Sequence, residues 1–186
     1  MHLPTVSDFS LLKRILQYIK GTISLGLHIK KDKELTLHAF CDSDYAGCKD
    51  TRRSTSGFCT MLDSNLISWS AKRQQTVSKS STEAEYRSLT ATAQELTWLS
   101  FLLRDLGIEQ QHAMVLKCDN LSAVYLSTNP ALHSRTKHFD TDYHYVREQV
   151  ALGLIETQHV PAEQQLADVF KKSLPKKLFT CASNLV

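Results

Sequence analysis

The chain has no run approaching the roughly 20 apolar residues that a membrane-crossing helix needs, so no spanning segment and no membrane partner are expected. It also lacks a charged start followed by an apolar stretch, since Met1-His2-Leu3-Pro4 opens otherwise, and no export signal is expected. Cysteine is sparse and poorly placed for cross-linking. Cys41, Cys48, Cys59, Cys118 and Cys181 are odd in number and include no Cys-x-x-Cys pair. That pattern argues against a disulfide framework or a zinc site and favours reduced thiols inside a cell. Internal repeats and low-complexity tracts are missing as well. So is any strong charge imbalance: the net charge of +3 selects no partner. Basic residues do pair up, at Lys30-Lys31, Arg52-Arg53, Lys72-Arg73, Lys171-Lys172 and Lys176-Lys177. Such doublets suit a polyanion and equally suit solvated loops.

What remains is an ordinary globular composition, 42% hydrophobic and 22% charged over 186 residues, enough for one well-buried domain with an appendage. Thr5 to Asp8 can cap a helix whose apolar positions Leu11, Leu12, Ile15, Leu16 and Ile19 recur at helical spacing, with Gly21 placed to end it. This helix either connects to something upstream or packs on the domain's own flank.

From Leu25 to Ser70 the period shifts toward two. Gly26 to Ile29 reads as a short edge strand, Leu35 to Cys41 as the first clear strand, Gly57 to Leu62 as the second and Leu66 to Ser70 as the third. Asp63-Ser64-Asn65 supplies the turn between the last two, so three sequential antiparallel strands follow. A polar stretch from Gln74 to Thr82 leads into a long helix, about Glu83 to Leu106, with Ser81 or Thr82 as its N-cap and Gly107 as its stop. Met114 to Cys118 then reads as a strand returning parallel to the first. Short helices are expected over Asn120 to Ser127 and Phe139 to Val150, a fifth strand over Gly153 to Val160, and a last helix from near Gln165. The tail from Leu174 is basic and is expected to fray.

Four acids arrive in settings that could turn them toward one another. Asp42 follows the first clear strand, Glu85 sits in the long helix, Asp119 follows the fourth strand and Asp168 opens the last helix. Cys41 directly precedes Asp42 and Cys118 directly precedes Asp119, so alternation is expected to send both thiols to one face and both carboxylates to the other. Most acids merely sit in water, and spacing alone leaves a metal site unproven.

The order β-β-β-α-β-α-α-β-α, with acids on the first strand, the long helix, the fourth strand and the last helix, resembles the ribonuclease H domain of copia-type LTR retrotransposon polyproteins. The likeness is carried by colinear blocks over nearly the whole chain. They include Cys41-Asp42-Ser43-Asp44-Tyr45-Ala46-Gly47, Ser80-Ser81-Thr82-Glu83-Ala84-Glu85-Tyr86, Cys118-Asp119-Asn120, Arg135-Thr136-Lys137-His138 and Gln165-Leu166-Ala167-Asp168. The resemblance implies an α/β fold of ribonuclease H type: a mixed five-stranded sheet, three strands antiparallel and then two parallel, flanked by helices. It divides the chain into a connector helix at 1-24 from the reverse transcriptase side, the domain at 25-175 and a basic tail at 176-186.

By the same resemblance Asp42, Glu85, Asp119 and Asp168 match the family's four catalytic carboxylates and hold two Mg²⁺ ions, with Mn²⁺ able to substitute. Asp42 would bridge both ions, Asp168 would complete the water-activating one, and Glu85 with Asp119 the leaving-group one. Four clustered acids repel one another, so bound metal is expected to raise the melting temperature. Glu83 competes with Glu85, but only Glu85 has the matching Ala-Glu-Tyr context; Asp44 is read as a supporting or surface acid. The loop histidine of cellular relatives has no counterpart, and His159 is expected on the fifth strand. Lys171-Lys172 stands where the family has Thr-Lys, which is expected to alter the final helix and leave the carboxylates unaffected.

The implied activity is hydrolysis of the RNA strand of an RNA/DNA hybrid during reverse transcription, beside the reverse transcriptase domain of the same polyprotein. The implied location is intracellular, in a cytoplasmic virus-like particle or the nucleus. Ser78, Ser80, Ser81, Thr82 and Asn120 are candidate backbone contacts, with capping and turn formation as the competing account; Arg135, Lys137 and His138 are candidates for a phosphate face. Two alternatives stay open: a silent nucleic-acid-binding remnant of such an element, and integrase-like strand transfer on DNA.

Overall fold

The computed structural model describes residues 3–23, 26–32, 34–129 and 140–171. Its order is α1 (Val6–Thr22), β1 (Leu37–Asp44), β2 (Thr55–Leu62), β3 (Asn65–Arg73), α2 (Ser81–Asp105), β4 (Met114–Cys118), α3 (Leu121–Thr128), α4 (Asp140–Ala151), β5 (Ile155–His159) and α5 (Asp168–Lys171). The strands form one sheet ordered β3-β2-β1-β4-β5. β1–β2 and β2–β3 are antiparallel, while β1–β4 and β4–β5 are parallel. This is the expected mixed sheet, with β1 at its centre.

The long helix exists because small and branched apolar residues recur every three or four positions along it. Leu89, Ala93, Leu96, Leu99 and Leu103 are all buried and face β1, β4 and α4 in the larger core cluster. Its end is a left-handed glycine cap. Gly107 takes φ 82°, its N–H reaches the Arg104 carbonyl at 2.9 Å, and the Ile108 N–H reaches the Leu103 carbonyl at 2.9 Å. Tyr86 and Tyr143, both fully buried with rings 5.9 Å apart, seat α4 on α2. The opposite face of the sheet carries a smaller cluster, Phe40, Cys59, Met61, Leu66, Val160 and Ala167, which brings the chain before α5 down onto β1 and β2. The two faces thus belong to different helices, α2 on one and α5 on the other.

Several expected boundaries move. β1 runs through Asp44, so Asp42 lies within the strand and not beyond its end. The N-cap of α2 is Ser80, one residue before Ser81 and two before Thr82, and its Oγ accepts the Glu83 N–H at 3.1 Å. No strand forms at Gly26 to Ile29. The residues that follow it are tied to the β2–β3 turn by side chains instead. The Lys30 N–H donates to Asn65 Oδ1 (2.7 Å), and the Ser64 hydroxyl donates to the Asp32 carboxylate (2.7 Å). The last helix is preceded by a 3₁₀ turn, Ala162–Gln164, and its described part begins at Asp168, not near Gln165. α1 buries none of its residues, although Thr5 and Asp8 form the expected capping box. The basic tail and the 175/176 boundary lie outside the described residues. Among those described, no helix is long and apolar enough to cross a membrane.

Candidate active site

β1 and β4 pair in parallel with Cys41 opposite Cys118, so the residues that follow, Asp42 and Asp119, emerge side by side at the same end of the sheet. Asp42 points to the α5 face, because it shares the alternation of Phe40 and stands opposite Gly57 of β2. Glu85 comes from α2 on the other face. The two meet around one backbone group: the Ser43 N–H donates to Asp42 Oδ1 at 2.6 Å and to Glu85 Oε1 at 3.1 Å. Asp168, the first residue of α5, completes the cluster: its carboxylate and that of Asp42 both pair with the Lys171 ammonium. All four acids are therefore brought together at this end of the sheet: Asp42 lies on the face opposite Cys41, as alternation predicts, and Glu85 reaches the cluster from the α2 face. Cys118 is within reach of them too, its Sγ 4.0 Å from Glu85 Oε2. One ligand atom each from Glu85, Cys118 and Asp119 lie within 4.8 Å of one another.

Backbone anchors hold this arrangement in place. Ser88 of α2 donates its hydroxyl to the Asp42 carbonyl (2.9 Å), and Gln165 donates Nε2 to the Cys41 carbonyl (2.9 Å) from the other face. Gln165 is itself buried and accepts the Ala167 N–H, so it fixes the approach to Asp168. Beside Asp119, the His159 ring donates Nε2–H to the Asp119 carbonyl at 3.2 Å from the end of β5. Glu83 and Glu85 have separate tasks. Glu83 receives the Lys79 N–H and pairs with Arg87 at 2.8 Å, leaving Glu85 to face Asp42. Asp44 folds over Gly47, where a Cβ would collide with its carboxylate.

The expected indifference of the cluster to Lys171 is overturned. The Lys171 side chain is only 2% exposed, and its ammonium pairs with Asp42 Oδ2 and, at 3.3 Å, with Asp168 Oδ1. The spacing from Asp168 is three residues, one helical turn, which puts both side chains on the same side of α5. The stem passes over Gly57: a Cβ there would make ordinary contact with Lys171 Cβ and Cγ at 3.6 Å and a tight one, 3.2 Å, with the Ala167 carbonyl oxygen. Lys171, Gln165 and Gly57 were all missed as site residues; only the helical spacing of Lys171 was available as a signal.

The candidate substrate contacts divide. Ser78 is buried and donates to Gln74 Oε1 (2.8 Å), so it braces the N-terminus of α2 and does not face a ligand. Ser80 and Asn120 are N-caps of α2 and α3. Ser81 is exposed and Thr82 half-buried in the first turn of α2. Arg135, Lys137 and His138 lie outside the described residues.

Crowded acids in a partly buried site resist ionisation. Burial first, then the neighbouring Cys118, Asp42 and Asp119, push Glu85 up to about 10. Burial and the Asp168 hydrogen bond push Asp42 up to about 6 against the pull of Lys171. Both folded values lie above the unfolded carboxylate range, so from about pH 4 upward the folded chain holds more protons than the unfolded chain, and stability falls as pH rises. Melting in EDTA should therefore be lower at pH 8 than at pH 5. A flat or rising profile over that window would remove the buried-acid account.

Several known proteins are similar to this chain. No family model matches it. The retrovirus-related Pol polyprotein from transposon RE2 of Arabidopsis thaliana is 46% identical over 96% of the chain, and the corresponding polyprotein from transposon TNT 1-94 of Nicotiana tabacum is 35% identical over 98%. The chain spans only 12% and 14% of those two proteins. Among solved structures, LC11-RNase H1, isolated from compost and crystallised with an RNA/DNA hybrid, aligns with a TM-score of 0.50 at 12% identity. That alignment covers 73% of this chain and 93% of the other, and it carries the fold alone.

Proposed function

Because this chain belongs to the Pol polyproteins of copia-type transposons, as a segment with the ribonuclease H fold, we propose that it hydrolyses the RNA strand of RNA/DNA hybrids in reverse transcription. The observation that carries this reading is the convergence of Asp42 and Glu85 on the Ser43 N–H, with Asp168 joined to Asp42 through the Lys171 ammonium and Asp119 beside Glu85. The fold-mate crystallised with an RNA/DNA hybrid supports the choice of substrate. Backbone recognition by shape, charge and the 2′-hydroxyl suits a chemistry performed on phosphate.

The residues present fit a hard divalent cation. They offer carboxylate oxygens, the donors that Mg²⁺ and Mn²⁺ take, and the raised proton affinities of Asp42 and Glu85 reflect first their burial and then the neighbouring acids, a cost of ionisation that such a cation would offset. When bound, two such ions supply an acidified water on one side of the phosphate and neutralise the departing 3′ oxygen on the other. The chain's own work is orientation. The Ser43 N–H keeps the Asp42 and Glu85 carboxylates aimed at one point, Ser88 and Gln165 clamp the β1 backbone from opposite faces, and Glu85 must surrender its proton before it can ligate. Arg135, Lys137 and His138 remain the proposed phosphate contacts, with the exposed Ser81 as a further one. α1, which buries nothing, is proposed to join this domain to the preceding reverse transcriptase segment of the polyprotein.

The test is a labelled hybrid incubated with the full chain in Mg²⁺, beside single-stranded RNA and duplex DNA. Cutting confined to the RNA strand of the hybrid is expected. Binding without cutting would select the silent remnant, and joining of DNA ends would select strand transfer.

A further inference from the structure

We propose that Lys171 is the resident cation of the Asp42–Asp168 half of the carboxylate cluster, so that one divalent ion enters first at Glu85 and Asp119, displacing the Glu85 proton, and a second binds only by displacing the ammonium. The inference rests on the hydrolase reading of the four acids and divides their roles. Two of them, Asp42 and Asp168, already share a positive charge; the other two lie with Cys118 inside a 4.8 Å group with which no ammonium of the described residues forms an ion pair.

Lys171 is held there by construction. Its stem is nearly sealed and packs over Gly57, where the Ala167 carbonyl that leads into α5 also comes close. The helical offset from Asp168 then delivers the ammonium between the two carboxylates without bending α5. A cation tethered in this way is present at high effective concentration, and a free ion must compete with it. Removing one partner from a buried ion pair also leaves the other uncompensated, so the ammonium does not leave without cost. The consequence is graded metal loading: the Glu85–Asp119 half fills first, and occupation of the Asp42–Asp168 half reports that Lys171 has withdrawn.

Counting ions tests this. The full chain is titrated with Mn²⁺ at about pH 7.5 and free ion is read by electron paramagnetic resonance, for wild type, Lys171→Met and Lys171→Arg. Wild type and Lys171→Arg are expected to take one ion, with the second weaker by about tenfold or more, while Lys171→Met takes two of similar affinity. Two equal sites in wild type, or an unchanged weak second site in Lys171→Met, would overturn the proposal. If Lys171→Met loses its circular-dichroism spectrum, Lys171→Thr carries the same expectation. Hybrid cleavage measured in parallel separates the two readings. Ion counts that change as expected while no protein cuts RNA would sink the hydrolase reading and leave Lys171 as a resident cation. Cutting by wild type and variant at the same Mg²⁺ midpoint would do the reverse.

Discussion

Asp42→Asn is expected to lower cleavage of the RNA strand in Mg²⁺ by about three orders of magnitude or more, the scale on which a preorganised charge at a reacting phosphate acts. The substitution keeps the shape of the side chain and one oxygen able to accept the Ser43 N–H, so the strand end need not move. What it removes is the charge at the one carboxylate in contact with Glu85, Asp168 and Lys171 together. Hybrid affinity should survive, because it rests on phosphate contacts elsewhere. Gel-shift binding and thermal melts run beside the cleavage assay separate the possibilities. Cleavage lost with binding and melting intact places Asp42 in the chemistry, whereas a parallel collapse of all three would make it a structural residue.

The second large effect is expected at Gly57, which sequence alone marks only as the start of a strand. A single added carbon would sit 3.2 Å from the Ala167 carbonyl oxygen, a contact that a shift of a few tenths of an ångström can relieve, so Gly57→Ala should be tolerated. Gly57→Val cannot be absorbed so easily. Overpacking of this kind costs about 1–3 kcal/mol, and a displacement near 1 Å of a catalytic group costs about 100-fold in rate. Valine favours strands, so local propensity predicts a stabler protein. Packing against Ala167 and Lys171 predicts a less stable one with cleavage reduced about 100-fold. Melting temperature and initial rates for the pair of variants decide between them. A Gly57→Val protein that melts higher and cuts normally would mean that α5 does not depend on this gap.

The parts of the fold legible in the sequence were those governed by local pattern. β4 falls at Met114–Cys118 as periodicity predicts, and α2 ends where Gly107 can adopt the left-handed conformation. Gly26 to Ile29 has strand-like residues but pairs with no strand, and the chain that follows hydrogen-bonds to turn side chains instead. The acids were legible as a set, through colinear blocks, and the structure gathers them. Their approach from two faces was not, because alternation describes one strand and Glu85 belongs to a helix beneath it. Lys171 is the clearest limit. A lysine doublet reads as solvated, and the groups that receive it, Gly57 beneath its stem and Asp42 at its ammonium, lie far earlier in the chain.

The central place of β1 also bears on how the protein is made. Its antiparallel neighbour follows after a short connection, but its parallel neighbour, β4, is synthesised only after α2 is complete. Until then a nascent chain carries an unsatisfied row of β1 amides and carbonyls beside Phe40 and Cys41, the kind of surface that recruits other chains. Products truncated before residue 114 should accordingly aggregate instead of persisting as inert monomers, and translation of a longer polyprotein without pausing in this interval would limit that exposure.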